Sequence, residues 1–492
     1  MKKLVNKIIK IFTNEYFLFG IILVGAFLVR LYKIDNPIAD WHSWRQADTS
    51  SVTRVYLNEG VNLLIPKYHD LSGIQSGWHN TRGYRFVEFP FFNVAHLYLY
   101  KIYPTLSLEV WGRLTAVFFT LISTVFVFLL GNKFIGKWGG VLSAFFFAFL
   151  PFNIYFTRII LPEPLAVMLA LMGLWLYVKF IDSQKSVFLF TSAIVFTLSL
   201  LVKPYTIFYL VPAIYLTVNK FGMDKLLKGE YIKKFILFVA FLFLPFLAWR
   251  IWMNDYAAGI PFYEWTFNGG EYGVIRFHPA FWRWIFAERL GKMILGIWGV
   301  GIFIAGVVVK PKRGYFIHTF LLGMFLYVSV VAAANIRHDY YQILTIPAIV
   351  LALGLGSNFL LKSKSVSTWL SKLIWLFLVG LMFMVGVYQI KDMYNINHPE
   401  IIEAGNAVDR LTPKDAKVIA SYNADTAFLY QTGRKGWPII DDSLDNIIRR
   451  GASFYVTLTF DDKDTRYIVE NYEVIEKTDK YLIADLTRPK EK

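Results

Sequence analysis

The sequence predicts an all-α, polytopic membrane domain over residues 1–391, followed by a small α/β domain over residues 392–492. Three observations predict it. Hydrophobic residues make up 56% of the 492, aromatics 18%, and mean hydropathy is +0.45, which a soluble chain of this length does not carry. Basic clusters recur in every second connection between apolar runs. Past residue 391 the balance reverses: 14 Lys+Arg stand against 18 Asp+Glu, so the formal charge of +16 splits into +20 before Asp392 and −4 after it. The positive charge therefore belongs to membrane topology rather than to nucleic acid. With no cysteine, neither a disulfide framework nor a cysteine-ligated metal is available.

Apolar runs near spanning length lie at about 15–32, 112–131, 138–156, 164–181, 186–202, 204–219, 233–252, 289–309, 314–334, 342–361 and 368–390. They give about eleven spans, and at most thirteen. Lys2, Lys3, Lys7 and Lys10 precede the first run and no small-residue cleavage site follows it, so it is expected to stay as a helix with a cytoplasmic N-terminus. The segment 89–103 is short, carries Asn93, His96 and Lys101, and reads as a helix lying at the interface. With that choice Lys133/Lys137, Lys179/Lys185, the 220–234 lysines, Lys310/Lys312/Arg313 and Lys362/Lys364 all fall inside. Making 89–103 a span puts all five clusters outside, against the positive-inside rule.

The same parity puts the remaining connections outside: a first loop at about 33–111, Arg158–Glu163, Lys203-Pro204, a second loop at about 253–288, and the 337–341 turn. A chain that only turned round would use a few residues for the first loop. It opens on Trp41-His42-Ser43-Trp44-Arg45-Gln46-Ala47-Asp48-Thr49, and it is the first candidate for chemistry. In the C-terminal part, 417–421, 453–460, 472–477 and 480–486 read as strands, the last two a hairpin across Thr478-Asp479. Segments 442–450 and 462–472 read as helices with aspartates in the first turn.

Asp48 is the leading single candidate, with N-capping of a helix over 49–59 as the bland alternative. Trp41 and Trp44 read as interfacial anchors. Arg158 and Glu163 lie five residues apart and form either a local pair or separate site groups; a carboxylate at a span centre costs ~2.5–3.5 kcal/mol. Lys203, between an apolar span and Pro204, is a compact cation suited to phosphate. His338 beside Asp339 reads as a base with its orienter or as a metal ligand. Glu88 is an interfacial carboxylate without an assigned job. In the second loop Glu264, Trp265, Glu271, Arg276, His278 and Trp282 are candidates for a cover over the site. Single charges at helix ends also snorkel to the interface without any function.

In order along residues 30–350, the chain carries Trp44-Arg45-Gln46-Ala47-Asp48-Thr49, Glu88-Phe89-Pro90, Gly112-Arg113-Leu114, Arg158 with Pro162-Glu163, Lys203-Pro204, and His338-Asp339-Tyr340-Tyr341. This ordered set resembles the polyprenyl-phosphate-dependent GT-C glycosyltransferases, the superfamily of the protein O-mannosyltransferases and the lipid A aminoarabinose transferase, in its bacterial family 39-like branch. The resemblance implies an inverting transfer of a sugar from a polyprenyl-phosphate donor to an acceptor hydroxyl of protein, lipid or glycan. The reaction would occur on the outer face of the cytoplasmic membrane, with the C-terminal domain extracytoplasmic. It implies Asp48 as the catalytic carboxylate, with Lys203, Arg158, Arg45, Tyr341 and Arg337 on the donor phosphate and Glu88 and Glu163 in support. A divalent metal is left open, with His338, Asp339 and Glu88 as its candidate ligands. Two departures stand out. Glu88-Phe89-Pro90-Phe91 replaces the Glu-Lys-Pro-Pro of the aminoarabinose transferases, and Tyr341-Gln342-Ile343-Leu344 replaces Tyr-x-Leu-Pro, with proline only at Pro347.

The chemistry is consistent with the resemblance. A departing lipid phosphate gains negative charge, so preorganised cations favour the transition state over the ground state. A multispan transporter or lipid flippase is the alternative, which would require charged or broken helices near the midplane and repeated halves. A scaffold presenting the C-terminal domain leaves the long first loop unexplained.

Overall fold

In the computed structural model, which describes residues 14–226, 228–266, 274–363 and 367–491, helices occupy all eleven predicted spans. Among the described residues, five are long and apolar enough to cross a membrane alone: Leu108–Phe134, Glu163–Ser183, Gly229–Gly259, Asp339–Lys362 and Thr368–Tyr394. Glu15–Val29, Lys137–Phe149, Ser186–Val202 and Phe316–Val330 are shorter apolar helices. Burial sorts them into centre and rim. In their most apolar windows, 78% of Glu163–Ser183 and 83% of Asp339–Lys362 is buried in the protein, against 17% of Gly229–Gly259 and 22% of Thr368–Tyr394. The rim helices present Ile236, Leu244, Leu376 and Phe377 outward, as lipid-facing helices do. Two central helices cross closely at Gly306 and Gly356. A Cβ on either would come within 2.0–2.1 Å of the other helix's carbonyl oxygens, a small-residue contact typical of membrane packing.

Three predicted spans are broken, among them the 314–334 run, interrupted at Val331 between Phe316–Val330 and Ala332–Arg337. The 138–156 run breaks between Lys137–Phe149 and Pro151–Phe156, because Leu150, ahead of a proline, is pushed to an extended conformation. The 289–309 run breaks more sharply: Pro279–Ile294 and Gly299–Val308 meet at 117°. Gly296 and Ile297 both take positive φ there, and a Cβ on Gly296 would sit 2.2 Å from the Met382 carbonyl oxygen. Phe91–Ile102 is a helix of 12 residues, about 18 Å long and too short to cross alone. Glu271 and Lys364 lie outside the described residues.

The C-terminal part is a five-stranded sheet of order β2-β1-β3-β5-β4, with β1 Lys417–Ser421, β2 Lys435–Trp437, β3 Ala452–Thr457, β4 Tyr472–Lys477 and β5 Leu482–Pro489. β2, β1 and β3 run parallel; β5 is antiparallel to β3 and β4. Leu444–Arg449 and Lys463–Asn471 fall within the predicted helices, the second capped by Asp462. Helices Glu400–Leu411 and Thr426–Gln431 and the short β2 are additions to the predicted elements.

The first loop clamps onto this sheet. Leu71 N donates to the Gly436 carbonyl (2.7 Å) and Gly436 N to that of His69 (3.0 Å), while Gly73 N donates to Asp441 (2.6 Å). Asp70, between them, is buried, and burial pushes its carboxyl up to about 7. The folded state thus keeps a proton that the unfolded chain releases near pH 4. Asp70 therefore lowers stability progressively as pH rises from about 4 to about 7, and the effect is constant above that. Asp70→Asn, melted in detergent across this range, should lack that part of the pH dependence. An unchanged slope would mean that Asp70 is ionised throughout.

Candidate functional site

Helix Ser43–Glu59 is polar along its length (SWRQADTSSVTRVYLNE), yet residues from Arg45 to Thr53 are all buried. A buried polar helix needs a partner for each polar side chain, and distant elements supply them. Gln46 donates to Asp40 (2.6 Å), Asn93 to the Thr49 carbonyl (2.7 Å), and Thr53 meets His96 (3.1 Å). From the C-terminal domain, the Tyr430 hydroxyl meets Ser50 (2.9 Å) and donates to Glu109 (2.7 Å), while Arg54 lies 3.5 Å over the Tyr430 ring. The approach to the helix is fixed by arginines. Arg158 pairs with Asp40 at 3.0 Å and donates to the Tyr32 and Lys33 carbonyls; Arg113 donates to those of Ile34, Asn36 and Pro37.

Three groups of charge surround this helix. In the first, Asp48 Oδ2 forms an ion pair with Arg85 at 3.1 Å and accepts from Gln75 at 3.2 Å. Asp48 is the sixth helical residue and fully buried, so it is not the N-cap; His42 holds that position. Its Oδ1 finds no hydrogen-bond donor among the described residues. In the second, Lys203 Nζ lies 2.8 Å from both Glu88 and Glu163, and Arg45 pairs with the same Glu88. Burial would raise the Glu88 carboxyl, but Arg45 and Lys203 outweigh it and hold it down at about 2. Burial would likewise lower the Lys203 ammonium, and Glu163 and Glu88 reverse that, raising it above its ordinary value. The Tyr341 ring lies 5.5 Å from Lys203 Nζ.

The third group is open. A cavity of about 310 Å³ is lined by Trp41, His42, Trp284, Arg289, Lys292, Arg337 and Asp339, among others. Asp339 accepts from His42 Nε2 and from Trp41 Nε1 (3.1 Å), with Arg289 at 3.6 Å. His42 has φ 58°, a left-handed conformation rare outside glycine, at a cost of order 1–3 kcal/mol. Arg289 and Lys292 come from the π-helical turn Trp284–Ile294 before the sharp break. Between the second and third groups stands His338, 5.3 Å from Trp44, 5.5 Å from Tyr340 and 6.2 Å from Tyr341. Burial and the positive charges around it lower His338 to about 4.

The structure thus gathers Arg45, Glu88, Glu163, Lys203 and Tyr341 around one contact network, while Arg337 and Asp339 line a separate cavity. Arg158 does not join them: its carboxylate is Asp40, and neither the local Arg158–Glu163 pair nor a phosphate-facing position is formed. The expected His338–Asp339 pair is replaced by His42–Asp339. Glu88 faces two cations, and Asp339 has His42 and Arg289 against it. Among the described residues no three His, Cys, Asp or Glu side chains stand together as a metal site. Asp40, Arg85 and His42 were not singled out by sequence; only the polar length of the first loop hinted that such groups had work there.

The family described as dolichyl-phosphate-mannose-protein mannosyltransferase matches residues 95–249. No curated protein matches the chain. Among solved structures, ArnT from Cupriavidus metallidurans bound to undecaprenyl phosphate is similar with a TM-score of 0.62 at 10% identity, over 95% of this chain and 97% of that one. Its apo state gives 0.57 at 10% identity over the same shares. The Archaeoglobus fulgidus oligosaccharyltransferase, in complex with zinc and sulfate, gives 0.57 at 11% identity over 89% of this chain and 67% of that one. The chain therefore has the GT-C fold.

Buried and paired as it is, the Asp48–Arg85 contact has a measurable signature. Removing one partner of such a pair costs about 3–5 kcal/mol. Asp48→Ala should melt well below the parent, and Asp48→Ala with Arg85→Met should recover part of the loss. Wild-type melting of Asp48→Ala combined with lost turnover would instead return Asp48 to the reaction itself.

Proposed function

We propose that this chain is a glycosyltransferase that moves a sugar from a polyprenyl-phosphate donor to an acceptor hydroxyl on the outer face of the cytoplasmic membrane, with inversion. The observation that carries the reading is the fixed cation Lys203, clamped by Glu88 and Glu163 next to Tyr341. Through the Tyr341 and His338 rings it connects to His42, which lines a cavity that also carries Arg289, Lys292 and Arg337. The GT-C fold and the mannosyltransferase match over 95–249 support it.

The residues divide the work as follows. A sugar phosphodiester is broken at the anomeric carbon, and the departing phosphate gains a negative charge. Lys203 and Arg337 stabilise that charge, with Tyr341 beside them. Glu88 and Glu163 keep Lys203 protonated and immobile, so no reorganisation is needed as the charge appears. Arg45 holds Glu88 in place. Asp48 acts as the counter-ion of Arg85, and Arg158 as that of Asp40. The outer face follows from the alternation of basic connections; a donor carried by a lipid enters sideways between helices. The acceptor is a hydroxyl of a protein, lipid or cell-surface glycan.

The transporter reading draws on one feature, the 117° break between Pro279–Ile294 and Gly299–Val308. The charged groups beside it, Arg289 and Lys292, line the cavity with His42 and Asp339, an arrangement that serves transfer at one face.

Lys203→Ala is expected to raise the apparent donor KM and lower kcat, because the charge it meets grows along the reaction. Lys203→Arg should restore part of the rate. An unchanged kcat/KM in Lys203→Ala would make Lys203 a structural cation only.

A further inference from the structure

We propose that His42 is the general base of this site, held in position by Asp339. The proposal deepens the transferase reading above and rests on it.

Four observations converge on His42. It sits at the N-terminal end of the site helix in a left-handed conformation (φ 58°, ψ 35°), and its side chain makes no capping bond to that helix. The unusual backbone therefore does not serve the helix end, where a capping residue would normally be found. The side chain instead reaches Asp339, 297 residues away, which accepts from Nε2. Asp339 is itself held by Trp41 Nε1 and Arg289, so the pair is anchored on its far side. In the tautomer whose proton sits on Nε2 toward the carboxylate, Nδ1 carries the lone pair. The ring is otherwise packed among Trp41, Trp44, Phe156, His338 and Tyr340. Finally, His42 and Asp339 line the same cavity as Arg289, Lys292 and Arg337. Of the carboxylates near the helix, Glu88 is held by Arg45 and Lys203 and Asp40 by Arg158, while Asp48 faces Arg85 through Oδ2 alone and outside this cavity's lining.

The step balances without a further reactant. His42 Nδ1 takes the proton from the acceptor hydroxyl, whose oxygen forms the new bond to the anomeric carbon. The bond from that carbon to the phosphate oxygen breaks, and its electron pair leaves with the polyprenyl phosphate. The imidazolium, stabilised by Asp339, then returns its proton to solvent through the cavity. Phosphate is a good enough leaving group to need no acid. Asp339 is a positioning residue: it fixes the tautomer and touches no substrate.

Two variants test the proposal in protein reconstituted with a polyprenyl-phosphate sugar and a hydroxyl acceptor. His42→Gly suits the left-handed backbone and leaves a gap the size of an imidazole. His42→Gln keeps a donor for Asp339 but removes the base. Both should melt as the parent does and bind polyprenyl phosphate with parental affinity, while turnover falls by about 10²–10⁴-fold. Added imidazole should restore activity to His42→Gly and not to His42→Gln, a response that a purely structural role would not give. Parental turnover in either variant overturns the assignment of His42 and leaves the transferase reading standing. So does loss of donor binding together with no imidazole rescue. If the parent itself transfers no sugar from any such lipid, the transferase reading fails, and the proposal fails with it.

Discussion

The buried helix Ser43–Glu59, in which polar residues outnumber apolar ones, is the constraint on which the site is built. Water cannot satisfy its side chains there, so protein groups must. Asp40 with Arg158 and Arg113 fixes the chain that leads into it. Arg85 meets Asp48, Glu88 meets Arg45, and Tyr430 brings the C-terminal domain against Ser50 and Arg54. Paired charges of this kind add little net stability, because desolvation offsets much of the attraction. Their effect is positional. Each pairing fixes the helix against a different element, so that its N-terminal end is held to one geometry at the cavity.

The two charge groups beyond that helix differ in a way that matters for chemistry. Around Lys203 the two cations and two carboxylates cancel, and the cluster is closed. Around the cavity, Arg289, Lys292 and Arg337 outnumber Glu288 and Asp339, and the walls include Trp41 and Trp284. An anionic headgroup with an apolar tail suits such a lining. His338, with its imidazole kept neutral, and the rings of Tyr340 and Tyr341 form the partition between the groups.

Much of the architecture was legible in the sequence. Apolar length and the alternation of lysine clusters mark the helical segments, and residues 417–421 and 472–477 are strands with the bounds their alternation predicts. The bend at Gly296-Ile297 was hidden, because an apolar run looks the same whether it continues or turns. β2 has only three residues and includes a glycine, too short for a pattern. At the site, residue types were easier to find than partners. Lys203, Glu88 and Glu163 stand out as charges at helix ends, whereas His42 with Asp339, Asp40 with Arg158 and Asp48 with Arg85 are joined only by the fold. Arg158 shows the limit most clearly: a nearby Glu163 made a local pair plausible, and a buried aspartate 118 residues away claimed it instead.

The central claim is that this site breaks a lipid-phosphate–sugar bond. Its most direct test is to reconstitute the purified chain in proteoliposomes and offer a panel of polyprenyl-phosphate sugars with an external hydroxyl acceptor. Free polyprenyl phosphate is then measured over time. The account predicts that at least one donor releases lipid phosphate in step with sugar appearing on the acceptor. Lipid or sugar crossing the bilayer with the donor bond intact would contradict it.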